Sequence, residues 1–403
     1  MSERQEDPTW GELTWEQFQK RTLAAWSLRL VGGLFLLAVC APLIASDQPL
    51  LYRDAAGWRS PWAAALYDRS FYTATVDVLF NTLLFPGLLL LLVPWVVNRR
   101  TAALPRRDRV RPRRLAWVVA LGVWAASFVT VMQVDQRSPH VDWAEVQTAA
   151  EAQGVDVVSV YPVFHWSHRG QRLEEKLRPP SFAHPLGTDN QGRDTFTRLV
   201  YGTRISLTIG VFAVAMYCAL GIVLGAVAGY FGARVDLGIQ ALIEVVMCVP
   251  SMFLVLAAAA FIEQRSIFHI MAIIAAVSWT GPARLVRAEF LRLRSLDFVA
   301  AAEAAGFPRR AIIFEEILPN ALGPVLVSAT FGVASAILVE SSMSFLGLGD
   351  ISAASWGQML KAGRDEDAWL LILAPGLAIF FTVSLLNLVG EGVRDALDPK
   401  LRR

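Results

Sequence analysis

Two glutamates interrupt otherwise apolar stretches of the sequence and are candidates for polar chemistry inside a membrane. Glu244 lies in an apolar window over residues 239–262, and Glu340 lies in another over residues 322–346. A charged group at the centre of a bilayer costs about 2.5–3.5 kcal/mol, so both carboxylates should face protein or water, or lie near a helix end. They could line a pathway or an interface. The structural alternative is that Glu244 pairs near its helix end, close to Arg234, and that Glu340 bonds to neighbouring backbone.

Asn387 lies near the end of the last apolar run, one turn before Glu391. Amide side chains at such positions often hydrogen-bond between membrane helices. We therefore count Asn387 with Glu244 and Glu340 as candidate pathway or interface residues, and expect it to contact a helix rather than a substrate.

The sequence gives little support for a metal or disulfide site. His165 and His168 have a spacing that suits two metal ligands on one helical face, but without a cysteine or a third histidine close by the signal is weak. We expect no metal site there, only a solvated loop. Cys40, Cys218 and Cys248 fall in apolar runs without CxxC spacing, which predicts small core residues.

Motifs for catalysis and nucleotide binding are lacking from the sequence. Neither HExxH nor GxSxG occurs, which argues against a membrane-embedded enzyme. There is also no GxxxxGK[ST], the loop whose backbone N–H groups cradle nucleotide phosphates. We therefore expect this chain to bind no cofactor, and any ATP and Mg to be used by partner subunits. Nucleic acid is not an expected partner.

The composition indicates the elements that hold these residues. Of the 403 residues, 55% are hydrophobic and only 18% are charged, which a soluble domain could not accommodate. A helix needs about 20 apolar residues to cross a hydrocarbon core of ~30 Å. We predict an all-α polytopic membrane protein with about eight transmembrane helices. The windows are roughly 27–46, 78–97, 115–133, 206–230, 239–262, 267–285, 322–346 and 369–390.

The distribution of basic residues predicts the orientation. The segment NRRTAALPRRDRVRPRR, between the second and third windows, has eight Arg and one Asp. More Arg residues follow the sixth window, and Lys400, Arg402 and Arg403 end the sequence. All three clusters lie on the cytoplasmic side if eight spans alternate from a cytoplasmic N-terminus. The polar start shows no signal-peptide pattern. Both termini are thus predicted to be cytoplasmic.

On that predicted cytoplasmic side lies SLDFVAAAEAAGFPRRAIIFEEILPNALGP. Good helix formers predict a helix from Asp297 to Ala305, capped by Asp297, with Gly306 left-handed just beyond it. Pro308 is expected in the first turn of a second helix that stops at Pro319. The alanine face could lie in a groove on another protein, so that the helix acts as a lever on two spans. The structural alternative is an interfacial hairpin that only stabilises the fold.

This segment resembles the cytoplasmic EAA loop of permease subunits of ABC importers, especially the dipeptide, oligopeptide and nickel group. HPLGTDNQGRDTFTRLVYGTRISL, GAVAGYFGARVD, ESSMSFLGLG, SWGQML and GEGVRDALDPK are also similar to C-type subunits of that group, in order, over about residues 184–400. The closest subgroup imports oligopeptides and microcin-like peptides. The coupling-loop positions considered are Asp297, Ala300, Ala301, Ala302, Glu303, Gly306, Leu318, Pro319 and Asn320. The usual Glu of the motif is Ala300 here, and whether Glu303 replaces it stays open.

The resemblance implies a type I ABC importer permease core in the bacterial inner membrane. The chain would form half of the translocation pathway for di- or oligopeptides and would couple to ATPase subunits through the EAA-type loop. The implied partners are a second homologous permease, two ATP-binding subunits, a periplasmic solute-binding protein and membrane lipid. The alternative is an ion-gradient-driven secondary transporter or channel, for which Glu244 and Glu340 are the support. The resemblance does not select among dipeptides, oligopeptides, microcin-like peptides and nickel.

The family core has six spans, so the pair of windows at 78–133 is expected to be an inserted hairpin. The expected organisation runs in chain order: cytoplasmic tail 1–26, first helix 27–46, periplasmic loop 47–77, inserted hairpin 78–133 with an Arg-rich cytoplasmic loop, periplasmic segment 134–205, permease core 206–392 with coupling loop 286–320, and cytoplasmic tail 393–403. In HPLGTDNQGRD, Gly187 and Gly192 predict tight turns. These turns would form a structural joint or part of the surface that docks the binding protein.

Overall fold

A computed structural model describes residues 10–54, 57–102, 106–134, 137, 141–153, 155, 157–263 and 266–398. The basic residues of the predicted C-terminal tail, from Lys400 onward, lie outside the described residues. The elements in chain order are α1 (Trp10–Lys20), α2 (Thr22–Ile44), β1 (Leu51–Asp54), β2 (Gly57–Arg59), α3 (Pro61–Ala65), α4 (Thr75–Leu84), α5 (Leu88–Arg100), α6 (Arg106–Gln133), α7 (Trp143–Ala152), β3 (Val158–Val160), α8 (Thr195–Phe231), α9 (Ala233–Met247), α10 (Ser251–Ala260), α11 (Ile267–Ser278), α12 (Thr280–Leu293), α13 (Asp297–Ala304), α14 (Arg309–Ala311), α15 (Leu318–Phe345), α16 (Trp356–Asp365) and α17 (Trp369–Leu397). A π-helical segment, Ile312–Ile317, joins α14 to α15.

Long apolar helices dominate the described part of the chain. Two pairs of helices, α9 with α10 and α11 with α12, are together long and apolar enough to cross a membrane. Each pair is bent where its two helices meet, by 78° and 43°. With each pair counted as one span the total is eight, which confirms the all-α polytopic prediction. Six further segments are each long and apolar enough to cross a membrane: Thr22–Ile44, Thr75–Arg100, Asp108–Gln133, Thr195–Phe231, Arg309–Phe345 and Trp369–Leu397.

The fifth and sixth windows were wrongly expected to be continuous spans. The break between α9 and α10 contains Pro250, which has no N–H for a helical bond and disfavours helical backbone in the residue before it. The second bend lies at Trp279, and Pro282 follows in the first turn of α12. Proline therefore accounts for the first break and accompanies the second.

The described residues of Met1–Leu34, Ser206–Ile351 and Ser355–Arg403 form one compact unit. Its largest apolar core joins α8, α12, α13, the π segment and α15. At its centre α8 packs against α12 through glycines. A Cβ on Gly221 would lie 2.7 Å from the Cβ of Pro282, and one on Gly225 would lie 2.8 Å from the Cβ of Val286. Only glycine allows the two helices to pack this closely.

Residues Phe35–Ile205 and Ser352–Ala354 form the second compact unit. Here α5 and α6, both within the region 78–133, pack against each other. The same unit contains a small antiparallel sheet of order β2-β1-β3, which the sequence did not predict. Tyr52 of β1 is paired with Arg59 on one side and with Ser159 on the other. The sheet therefore joins the segments 47–77 and 134–205, both predicted to lie outside.

Candidate coupling helix and polar residues of the spans

Helix α13 is attached to the first unit along one narrow face. Val299 is 2% exposed and Ala302 is 6% exposed, and both belong to the core cluster that contains Phe290, Ile312 and Ile317. Ala302, predicted to belong to a docking surface, instead faces the protein's own core. The helix is thus packed against the residues that precede and follow it.

The opposite side of α13 is exposed and mostly made of small or aromatic residues. Ala300, Ala301 and Glu303 are exposed on it. Phe298 at its start is 37% exposed, and Phe307 just beyond its end is 54% exposed. Because residues three apart are neighbours on a helix surface, Glu303 lies one turn from Ala300, on the same exposed side.

The start of α13 differs from the prediction. Asp297 is the first helical residue, and Leu296, in extended backbone, occupies the capping position without a side-chain hydrogen bond. The expected cap by Asp297 is therefore wrong. Its carboxylate nevertheless lies in the first turn, where the partial positive charge of the helix end favours an anion.

The end of α13 agrees with the prediction at Gly306. Its φ is +78°, in the left-handed region that glycine adopts at little cost. The Gly306 N–H donates to the carbonyl of Glu303 at 3.0 Å, and the Phe307 N–H donates to that of Ala302 at 3.1 Å. These two bonds form a Schellman motif, which satisfies carbonyls at the helix end.

The second half of the loop does not stop at Pro319 as expected. Pro308 precedes α14 in extended backbone rather than lying in its first turn, and the chain then stays helical from Arg309 to Phe345. The π segment lies directly before Leu318 and Pro319. Such segments widen a helix by one residue.

Asn320 has a local structural role at the exit of the π segment. Its side-chain Nδ2 donates to the carbonyl oxygen of Glu316 at 2.7 Å. Pro319 lacks a backbone N–H, and the Asn320 amide adds a bond to the carbonyl of its own preceding turn. Leu318 is half-buried, while Pro319 and Asn320 are exposed.

Contacts of two arginines hold α12, which leads into α13, against α8 and α9. Arg294, just after α12, donates through Nη1 to the carbonyl of Gly229 at 3.0 Å. Arg287 of α12 forms a two-pronged pair with Asp236, with Nη2 and Oδ2 2.7 Å apart. The expected pairing of Glu244 with Arg234 does not occur among the described residues, and Glu244 is exposed.

Glu340 is buried, with 1% of its surface exposed. Ser344 Oγ donates to its Oε1 at 2.7 Å, and Ser341 Oγ lies 3.5 Å from Oε2. Its expected bonding to neighbouring backbone is therefore wrong, because the hydroxyl groups of the next residue and of the residue one turn further on supply the donors. Asn387 is exposed on α17.

The second unit contains a buried polar network that the sequence analysis missed. Arg204 is fully buried and donates to Asp77 Oδ1 at 3.2 Å and to the carbonyl of Ala38 at 2.7 Å. His168, expected in a solvated loop, is 4% exposed, with its ring 4.1 Å from that of Tyr201. Asp77 and Arg204 lie just before two apolar windows, and charged residues in those positions were the sequence feature that could have indicated a buried pair.

The segment HPLGTDNQGRD forms the tight turns that the sequence predicted. Gly187 and Gly192 have φ of +73° and +71°. Asp189 Oδ1 accepts the backbone N–H groups of Gln191 and Arg193 at 2.9 and 3.0 Å. These contacts lie within the segment itself and hold its turns in place.

Comparison with known proteins agrees with this architecture. The family model of the binding-protein-dependent transport system inner membrane component matches residues 221–403. The dipeptide transport system permease protein DppC of Alkalihalophilus pseudofirmus is 41% identical over 230 residues, which cover 56% of this chain and 75% of that protein. The chain belongs to this family of ABC transporter permeases. It is an integral membrane protein and a component of a transport system.

Two other relatives of this permease differ in how much of the chain they match. The oligopeptide transport system permease protein OppC of Haemophilus influenzae is 41% identical over 223 residues, 54% of this chain and 71% of that protein. The inner membrane ABC transporter permease protein YejE of Escherichia coli is 30% identical over 395 residues, 96% of this chain and 97% of that protein. The match to YejE therefore includes most of the hairpin region 78–133.

Proposed function

We propose that this permease is the transmembrane subunit of an ATP-driven ABC importer and forms half of the pathway for di- or oligopeptides. The names of its relatives, among them dipeptide and oligopeptide permeases, support the solute class. Its partners in this proposal are a second homologous permease, two ATP-binding subunits that use ATP and Mg, a periplasmic solute-binding protein and membrane lipid. Both termini and α13 lie on the cytoplasmic side.

The observation that carries the coupling mechanism is the two-sided character of α13. Val299 and Ala302 pack it into the core, whereas Ala301 on the other side is exposed. A partner that presses on the exposed face would move α13 together with α12 and α15, because all three share one apolar core. Closure of the ATP-binding subunits could thus change the tilt of the spans, provided that their contacts with α13 differ between two states.

Cysteine crosslinking tests this proposal. In a background without Cys40, Cys218 and Cys248, Ala301→Cys on the exposed face of α13 should crosslink to an ATP-binding subunit. The yield should change when nucleotide is added. Ala152→Cys, exposed at the end of α7 on the predicted outer side, is the matched control and should give no such product.

Labelling from each side of the membrane tests the orientation separately. An impermeant maleimide applied from outside should react with Ala152→Cys and leave Ala301→Cys unlabelled. Labelling of Ala301→Cys from outside, or the absence of any crosslink to an ATP-binding subunit, would refute the coupling role.

A further inference from the structure

A cluster of exposed arginines lies where the chain turns from α5 to α6. Arg99 and Arg100 belong to the last turn of α5, and Arg111 and Arg114 lie near the start of α6. All four are exposed, and we call them the turn arginines. Because α5 ends and α6 begins at this turn, they lie at the same end of two helices that pack against each other.

The side chains of the turn arginines are available to bind an anion. Within the part of the chain that the structure describes, none of them forms an ion pair or a side-chain hydrogen bond. Arg99 lies over an aromatic ring, with its Cζ 4.1 Å from the centre of the Trp95 ring. A stacked guanidinium keeps the N–H groups at its edge able to donate. The segment 98–114 has eight Arg and one Asp, so its net charge attracts anions.

An exposed apolar stripe continues from the turn arginines along α6. Val118 and Leu121 follow Arg114 at intervals of four and seven residues, so the three side chains share one face of the helix. Both apolar side chains are exposed, whereas Ala116 and Ala120, on the opposite face, are buried. The face that carries Arg114 is therefore the unpacked face of α6.

Helix α5 has a similar arrangement of exposed residues. Trp95 lies one turn before Arg99, and Leu91 and Leu92 lie one turn before Trp95. All three apolar side chains are exposed. Each helix thus presents apolar side chains that lead to a positively charged group, and both charged groups lie at the same end of the pair. This surface is complementary to a molecule with an anionic head and long apolar chains.

We propose that the turn arginines and the two apolar stripes bind an anionic phospholipid. The lipid phosphate would accept hydrogen bonds from Arg111 and Arg114, since guanidinium groups bind phosphate through parallel N–H donors. The acyl chains would lie along Val118 and Leu121. The inference rests on the proposed function only in that it specifies the membrane lipid among the partners, and it does not depend on the transported solute.

Native mass spectrometry of the purified full-length permease in an uncharged detergent tests the proposal. The probes are dioleoylphosphatidylglycerol, which is anionic, and dioleoylphosphatidylcholine, which has the same acyl chains and no net charge. The wild type should bind the anionic lipid more tightly, and higher ionic strength should weaken that preference. The double variant Arg111→Gln with Arg114→Gln should bind the anionic lipid about five- to thirtyfold more weakly and the uncharged lipid equally well.

A matched control separates the turn arginines from basic residues in general. Arg309→Gln with Arg310→Gln removes the same charge from two exposed residues of α14, also on the predicted cytoplasmic side, and should change neither affinity. Arg111→Lys with Arg114→Lys keeps the charge and should retain most of the preference. Equal affinity of the wild type for the two lipids, an equal loss in the control, or a preference lost in the lysine variant would overturn the proposal.

Two other ligands of a basic surface would give different results. If glycerol phosphate, which is anionic but has no acyl chains, displaces the bound lipid at equal concentration, the arginines form a simple anion site. If the glutamine double variant binds lipid normally but no longer copurifies with the second permease, the surface is a protein interface. Either result would overturn the proposal. A failure of peptide uptake would count against the proposed function alone, because lipid binding is measured on the isolated subunit.

Discussion

The Phe307 N–H donates to the carbonyl oxygen of Ala302 at 3.1 Å and closes the end of α13. The bond spans Gly306, whose left-handed backbone turns the chain away from α13 and towards the π segment. Since Ala302 is buried in the core, this turn fixes both the length of the helix and the direction in which the chain returns to the membrane.

Two substitutions at Gly306 should distinguish the effect of its backbone conformation from the effect of an added side chain. A Cβ there would meet nothing within 4 Å, so Gly306→Ala costs only the left-handed conformation, about 1–2 kcal/mol. It should keep most of the peptide uptake. Gly306→Pro cannot reach φ of +78° and loses the bond to Glu303. It should insert into the membrane normally but abolish uptake, and normal uptake would contradict the lever mechanism.

Gly225→Ala should destabilise the contact between α8 and α12. The added methyl would lie 2.8 Å from the Cβ of Val286 and closer still to the backbone of Ala283. Overpacking of this kind costs about 1–3 kcal/mol. Gly238→Ala on α9 is the matched control, because a Cβ there meets nothing within 4 Å. The apparent Tm in detergent should fall for Gly225→Ala only, and equal Tm values would contradict the close approach.

Asp77→Asn should be strongly destabilising, because it removes the buried carboxylate that the guanidinium of Arg204 contacts. Breaking a buried pair in this way costs about 3–5 kcal/mol. Asp54→Asn, which removes the partner of the exposed Arg59, should cost at most about 1 kcal/mol. Expression level and Tm measure both effects. The double variant Asp77→Asn with Arg204→Met should recover part of the loss, and no recovery would mean that the ion pair is not the cause.

Glu340→Gln distinguishes a structural carboxyl from an ion relay. Gln keeps an oxygen that can accept from Ser344 but cannot carry a proton or a cation across the membrane. If Glu340 is structural, ATP-dependent uptake should stay within about twofold of wild type, as should uptake by Glu244→Gln, which changes an exposed residue. Loss of uptake in Glu340→Gln with normal folding would favour the ion-gradient-driven alternative.

Tyr72 should make stability sensitive to alkaline pH. Burial raises the pKa of Tyr72 to about 12 from an ordinary value of 10.0. The folded state therefore favours the protonated phenol, and its contribution is complete below pH 10 and is lost as the pH rises towards about 12. Each pKa unit corresponds to about 1.4 kcal/mol. Tyr72→Phe should reduce the fall in Tm over this pH range, and an unchanged fall would assign it to other groups.

Much of the loop around α13 could be predicted from the properties of single residues. Because glycine has no side chain, Gly306 predicted a left-handed turn, and the structure has one. Pro319 was less informative. Proline does end helices in general, but here the helix continues through Pro319, directly after the π segment. The prediction failed because proline is tolerated in the first turn of a helix, and Pro319 lies there in α15.

Polar residues were predicted less well than apolar ones. Nothing in the sequence near His168 shows that Tyr201, more than thirty residues away, stacks on it. Arg204 likewise finds Asp77 across 127 positions of the chain. The α8 glycines were a missed signal, since Gly221, Gly225 and Gly229 repeat at intervals of four residues, which is typical of close helix packing.

The sequence by itself determined the class of protein, the apolar segments long enough to span a membrane and the position of α13. Hydropathy over about 20 residues and the backbone preferences of glycine are local properties, so they can be read without a fold. Only the tertiary structure decided which face of α13 is exposed and which hydroxyls enclose Glu340. These depend on contacts between residues far apart in the chain, which local patterns do not encode.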